Sequence, residues 1–145
     1  MSRKTPLLAS IVIAALLAAL VTPSVCLAAS APPITAVQAY AVASQRSPVW
    51  TYIHPYQIST QGEGGAWVYV VTQEIGYGQP ISATLDGYPG TQLTQYNQPI
   101  IQNGYIIGWY RYWYFQGPNL NGEFIYNVRS LNAPFTTKTA WIYVE

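Results

Sequence analysis

From residue 34 onward, apolar and polar side chains alternate with a period of two, the spacing of a strand with two distinct faces. Trp67, Tyr69 and Val71 oppose Val68, Val70 and Thr72. Phe124, Tyr126 and Val128 oppose Ile125, Asn127 and Arg129, while Trp141 and Tyr143 oppose Ile142 and Val144. No helical period of 3.6 competes, and Gly and Pro interrupt the chain every few residues, which breaks helices. The pattern predicts strands over Ile34–Ser44, Trp50–His54, Ala66–Glu74, Ile81–Leu85, Gln98–Gln102, Tyr105–Phe115, Glu123–Arg129 and Thr139–Val144.

Turn chemistry joins these segments. Asn103-Gly104 links two apolar runs directly, and a type I′ hairpin turn needs positive φ at both central positions, which Asn and Gly tolerate. Asp86-Gly87 and Pro89-Gly90 mark a tight loop, and Asn119-Leu120-Asn121-Gly122 joins a further pair. Gln98–Gln102, Tyr105–Phe115 and Glu123–Arg129 are therefore expected to form an antiparallel meander. Seven to eight short strands predict an all-β fold, a small antiparallel two-sheet β-sandwich of the immunoglobulin-like kind, with a small β-barrel as the alternative.

The N-terminus follows another pattern. Arg3 and Lys4 precede an apolar run from Leu7 to Val21, and small residues follow at Ala28, Ala29, Ser30 and Ala31. These are the three parts of a secretory signal peptide. The run is shorter than the roughly 20 residues of a membrane span. The reading is a signal peptide over 1–29 and a single secreted β domain over 30–145, extracellular or periplasmic, with no stable membrane insertion after cleavage. Cys26 has Val25 before it and Pro23-Ser24 upstream, a poor fit to lipid attachment, so it reads as discarded with the signal.

Removal of that segment changes the composition. Arg46, Arg111, Arg129 and Lys138 then face Glu63, Glu74, Asp86, Glu123 and Glu145. Four scattered cations make no footprint for nucleic acid. A mature chain without cysteine holds no disulfide, no thiolate metal site and no cysteine nucleophile. His54 is the single histidine of the sequence, so a two-histidine metal site is excluded within one chain. A Ser-His-acid triad would have to use His54, and no G-x-S-x-G elbow is present. Two-carboxylate glycosidase chemistry would fall to Glu63 and Glu123. Glu63, however, lies in the loop-like Gln61–Gly65, and Glu123 starts a strand. Asp86, Asn119 and Asn121 offer too few carboxylates for Ca²⁺. No catalytic residue, metal site or cofactor is assigned.

What remains is aromatic: five Trp, thirteen Tyr and three Phe. Such rings bury 150–250 Å² each and dominate small cores, yet a domain of this size does not enclose them all. Tyr105–Phe115 is the densest stretch. Alternation puts Ile107, Trp109, Arg111, Trp113 and Phe115 on one face and Tyr110, Tyr112 and Tyr114 on the other, and leaves the inward face open. Tyr110, Tyr112, Tyr114 and Arg111 are the candidate ligand-binding residues. The tyrosines offer a flat face for sugar rings or a protein partner. Arg111 reads either as a cation–π or anion anchor or as an aliphatic stem on Trp with its head in water.

Local sequence resembles the YolA-like family of small secreted bacterial proteins of unknown function. The resemblance rests on Gly76-Tyr-Gly78, Leu85-Asp-Gly87, Gly90-Thr91, Gly122-Glu-Phe-Ile-Tyr126, Ser130-Leu-Asn-Ala-Pro134 and Trp141-Ile-Tyr-Val144. It implies a secreted β domain and carries no catalytic residues with it. The expected function is a non-catalytic binding module acting through exposed aromatics on a cell-surface or glycan ligand. The alternatives are a protein-interaction, inhibitor or effector protein with a protein partner, and a small extracellular hydrolase.

Overall fold

The computed structural model describes residues 31–145; the proposed signal peptide lies outside them. Ten strands form two antiparallel sheets, with one short 3₁₀ turn and no α-helix among the described residues. The strands are β1 (Ala36–Ser44), β2 (Thr51–Tyr52), β3 (Gly65–Ile75), β4 (Gly78–Leu85), β5 (Tyr88–Pro89), β6 (Thr91–Gln92), β7 (Gln98–Gln102), β8 (Tyr105–Leu120), β9 (Gly122–Ser130) and β10 (Thr137–Val144). The larger sheet runs β2-β1-β3-β8, with β6 and β7 both paired to the far edge of β8; the smaller runs β10-β9-β4-β5. This is a small all-β sandwich, not a closed barrel.

The core lies between the sheets and follows the period-two pattern. Val42, Val68, Val70, Trp113 and Phe115 from the larger sheet meet Leu85, Phe124, Tyr126, Val128, Ile142 and Val144 from the smaller one, all buried. Phe115 and Phe124 meet edge to face at 5.8 Å, and Trp113 lies 5.2 Å from Tyr126, separations at which aromatic pairs add to area burial. Trp109 shares the inward face of β8 but is only half-buried, near the end of the sheet. Buried Trp113 donates its indole N–H to Thr72 Oγ1 at 3.1 Å.

The hairpins follow their turn residues. Asn103 and Gly104 have φ of 52° and 80° between β7 and β8, and Asp86 and Gly87 have 50° and 78° between β4 and β5, as type I′ turns require. The expected meander is corrected. β7 and β8 form a hairpin, but β9 pairs with β10 and β4 in the other sheet. Both edges of β8 are already taken, by β3 on one side and by β6 and β7 on the other. The chain therefore crosses between sheets after Leu120, turning at Gly122 with φ 127°. β8 also runs five residues past the expected end at Phe115, and Trp50–His54 shrinks to the pair Thr51–Tyr52.

Candidate functional site

The outer face of the larger sheet is paved with rings. Register sets the pavement: Gln73 lies opposite Tyr110, Val71 opposite Tyr112 and Tyr69 opposite Tyr114. On the other side of β3, Ala41 faces Val71 and Ala43 faces Tyr69. A bulge in β1 adds to it. Ala39 pairs with Thr72 and Ala41 with Val71, leaving Tyr40 as the extra residue. A bulge re-aims a side chain that strict alternation would place elsewhere. Here it sets the Tyr40 ring 4.7 Å from Tyr110 and 5.5 Å from Tyr52 on the same face.

Trp50 stands over this surface from the segment before β2. Its ring meets Tyr112 at 6.1 Å and 84° and Tyr69 at 6.4 Å and 62°. The residue next to it is tied down from inside. Thr51 Oγ1 donates to Glu63 Oε1 at 2.9 Å, and Ser44 Oγ donates to Glu63 Oε2 at 2.7 Å. Glu63 is fully buried, so its carboxylate acts as a fixed acceptor that fastens the start of β2 to the end of β1.

Two hollows adjoin Trp50 and Tyr112. The first, of about 200 Å³, is lined by Tyr40, Ala41, Trp50, Tyr52, Val71, Gln98, Tyr110 and Tyr112. It exists because the row Tyr52–Ala41–Val71–Tyr112 has small side chains in the middle and rings at both ends. The second, of about 340 Å³, is lined by Trp50, Tyr69, Leu93, Tyr96 and Tyr112. Its outer wall is a 3₁₀ turn, Thr94–Tyr96, held to β8 by the Leu93 N–H donating to Tyr112 O at 2.8 Å. Neither hollow is lined by a charged side chain. Burial, then the phenols of Tyr52 and Tyr110, hold Tyr112 above the ordinary tyrosine value; Tyr110 first, then burial, does the same for Tyr40. These phenols stay neutral at neutral pH and offer hydroxyl donors and acceptors. Gln73 adds an amide that donates from Nε2 to Tyr110 Oη at 3.2 Å.

Tyr110, Tyr112 and Tyr114 thus share one face and are half-buried by their neighbours' rings. Arg111 is not with them. Its head lies between the sheets, where Nε donates to Glu74 Oε1 at 2.7 Å and Nη2 to Gly78 O at 2.9 Å. Tyr126 Oη donates to the same Glu74 oxygen. The reading of Arg111 as a ligand anchor, or as a head in water, is corrected on this geometry: alternation turns residue 111 to the core, and the buried Glu74 carboxylate holds it there. Sequence reasoning missed Tyr40, Trp50, Tyr52, Leu93, Tyr96 and Gln98. The bulge, a connecting segment and cross-strand pairing bring them to the site, and local alternation records none of these.

The catalytic candidates lie in different surroundings. Glu63 is enclosed, and Glu123 is exposed on β9. His54 lines a third hollow of about 180 Å³, between β1 and β10, with Gln38, Gln57, Thr139 and Trp141 and no carboxylate. Among the described residues, no group of three or more His, Cys, Asp or Glu side chains is placed to hold a metal.

A search of curated proteins gives no match. The model of one family, a domain of unknown function (DUF4879), matches residues 28–144, most of the chain, and the protein belongs to that family.

Proposed function

We propose that the protein is a secreted, non-catalytic binding module whose ligand is a neutral glycan held on the outer face of the larger sheet. One observation carries this reading: Trp50 and six tyrosines surround two hollows that no charged side chain lines. A pyranose ring has an apolar C–H face and a rim of hydroxyls. The C–H face suits the electron-rich face of an aromatic ring. The rim suits phenols and amides, here Tyr40, Tyr110 and Gln98. A site with no fixed charge gives an anionic or cationic ligand nothing to pair with, and charge left unpaired in a partly dry site is costly. The signal-peptide pattern of residues 1–29 and the resemblance to the YolA-like family support an extracellular or periplasmic setting.

The test is retention of the mature protein on insoluble neutral polysaccharides and purified cell wall, read by Trp fluorescence of the unbound fraction. Wild type is expected to be retained. Tyr112→Ala, which removes a ring that lines both hollows, is expected to be released while melting as one cooperative domain. Retention of Tyr112→Ala equal to wild type, or no retention of wild type on any neutral polymer, rejects the reading.

A further inference from the structure

Resting on that reading, we infer that the site takes one linear neutral glycan chain across two adjoining subsites, with Trp50 and Tyr112 as the partition that both subsites share. The two hollows lie on one face and have these two rings in common. At about 200 and 340 Å³ they are at or below the small end of the 300–1,000 Å³ that encloses drug-sized ligands. Each is the size for a single ring, not for a folded oligosaccharide.

The two subsites differ in chemistry. The first is lined by the Gln98 amide and the phenol side chains of Tyr40, Tyr52 and Tyr110 around the small side chains of Ala41 and Val71. It suits a sugar held by its hydroxyls. The second has Leu93 and Tyr96 facing Tyr69. It suits a sugar held by its apolar face. A monosaccharide satisfies one of these at a time. Two consecutive residues of a chain satisfy both, and the second contact is then made at the high effective concentration set by the glycosidic linkage. The partition is fixed in advance. Trp50 is braced edge-on by Tyr69 and Tyr112, and its neighbour Thr51 is anchored on buried Glu63. Little ordering of the protein is therefore required on binding, which favours affinity.

The experiment is calorimetric titration of the mature protein with β-1,4-linked glucose and N-acetylglucosamine oligomers of one to six residues, with polygalacturonate as the charged probe. For at least one neutral series, affinity is expected to rise by roughly tenfold or more from the monosaccharide to the disaccharide and then level off. Tyr96 is exposed in its 3₁₀ turn, and Tyr96→Ala is expected to flatten that rise while leaving the melting temperature unchanged. Equal affinity for the monomer and the hexamer overturns the two-subsite inference and leaves neutral-glycan binding standing. An undiminished length dependence in Tyr96→Ala overturns the assignment of the second subsite. Binding of polygalacturonate alone, or of nothing in the panel, overturns both this inference and the reading beneath it.

Discussion

At the residue scale, the most consequential side chain is one that alternation aims away from the ligand face. Arg111 lies opposite Thr72, and Glu74 lies opposite Trp109. The two are therefore diagonal neighbours across β3 and β8, within reach of long side chains. Their ion pair is enclosed, with Glu74 fully buried and the Arg111 side chain 14% exposed. A buried pair adds little net stability over an apolar pair of the same shape, but removal of one partner strands the other charge. Arg111→Met is expected to destabilise the domain by about 3–5 kcal/mol in urea unfolding. The double variant Arg111→Met with Glu74→Gln should recover most of that loss, because no charge is left unpaired. A single variant within about 1 kcal/mol of wild type would mean that the remaining charge is not isolated from water. None of this was legible in the sequence, since the partners are 37 positions apart and only the register makes them neighbours. By contrast, the inward set Phe124, Tyr126 and Val128 was legible, because Asn127 and Arg129 mark the opposite face as the outer one. β8 gave no such contrast: one face packs in the core and the other beneath an aromatic layer, so both read as apolar.

At the element scale, β8 is the spine of the larger sheet, and Gly108 is the point that lets β3 approach it. A glycine inside a strand loses backbone entropy and packs nothing, so its place there has to be argued from its neighbours. A Cβ on Gly108 would sit 1.9 Å from the backbone oxygen of Glu74 and 3.1 Å from Ile75 Cα. Backbone cannot swing aside as a flexible side chain can. The strands would have to part at the residue that holds Arg111. Gly108→Ala is therefore expected to destabilise by roughly 1–3 kcal/mol, although alanine ordinarily suits a strand interior better. Urea midpoints that coincide with wild type would show that β3 and β8 have slack at this point. The hairpin turns were readable at this scale because positive φ leaves a chemical mark, Asn-Gly or Asp-Gly. The crossing from β8 to β9 left no comparable mark. Asn119–Gly122 reads equally well as a hairpin, and only the occupied edges of β8 exclude it. The β1 bulge was also illegible, since one extra residue shifts every later side chain of that strand without altering its composition.

At the scale of the whole molecule, the two sheets close over a phenol, and this sets the alkaline limit of the fold. Burial above all, then the charge of Glu74 and the hydrogen bond to it, hold the Tyr126 hydroxyl far above the ordinary tyrosine value of about 10. Above about pH 10 the native state keeps this phenol neutral and the unfolded chain does not. A folded value raised above the unfolded one gives stability that is fully present below about pH 10 and is lost as pH rises beyond it, while the unfolded state gives up a proton that the native state retains. Each such proton lowers unfolding free energy by about 1.4 kcal/mol per pH unit. Tyr40 and Tyr112 are shifted in the same direction and add to the slope. Unfolding free energy, measured by urea at intervals from pH 8 to 11.5, is expected to vary little with these phenols up to about pH 10 and then to fall. Tyr126→Phe keeps the ring between Trp113 and the rest of the core and leaves Glu74 paired with Arg111. It should be less stable than wild type at pH 8, where the hydrogen bond to Glu74 is lost, and should fall less steeply above pH 10 by about 1.4 kcal/mol per unit. Parallel curves for the two proteins would mean that the phenol ionises as readily in the folded domain as in the open chain, and so that the sheets do not seal it from water. A Tyr112→Phe curve measured alongside separates the outer aromatic face from the core, because only the core phenol is sealed by both sheets.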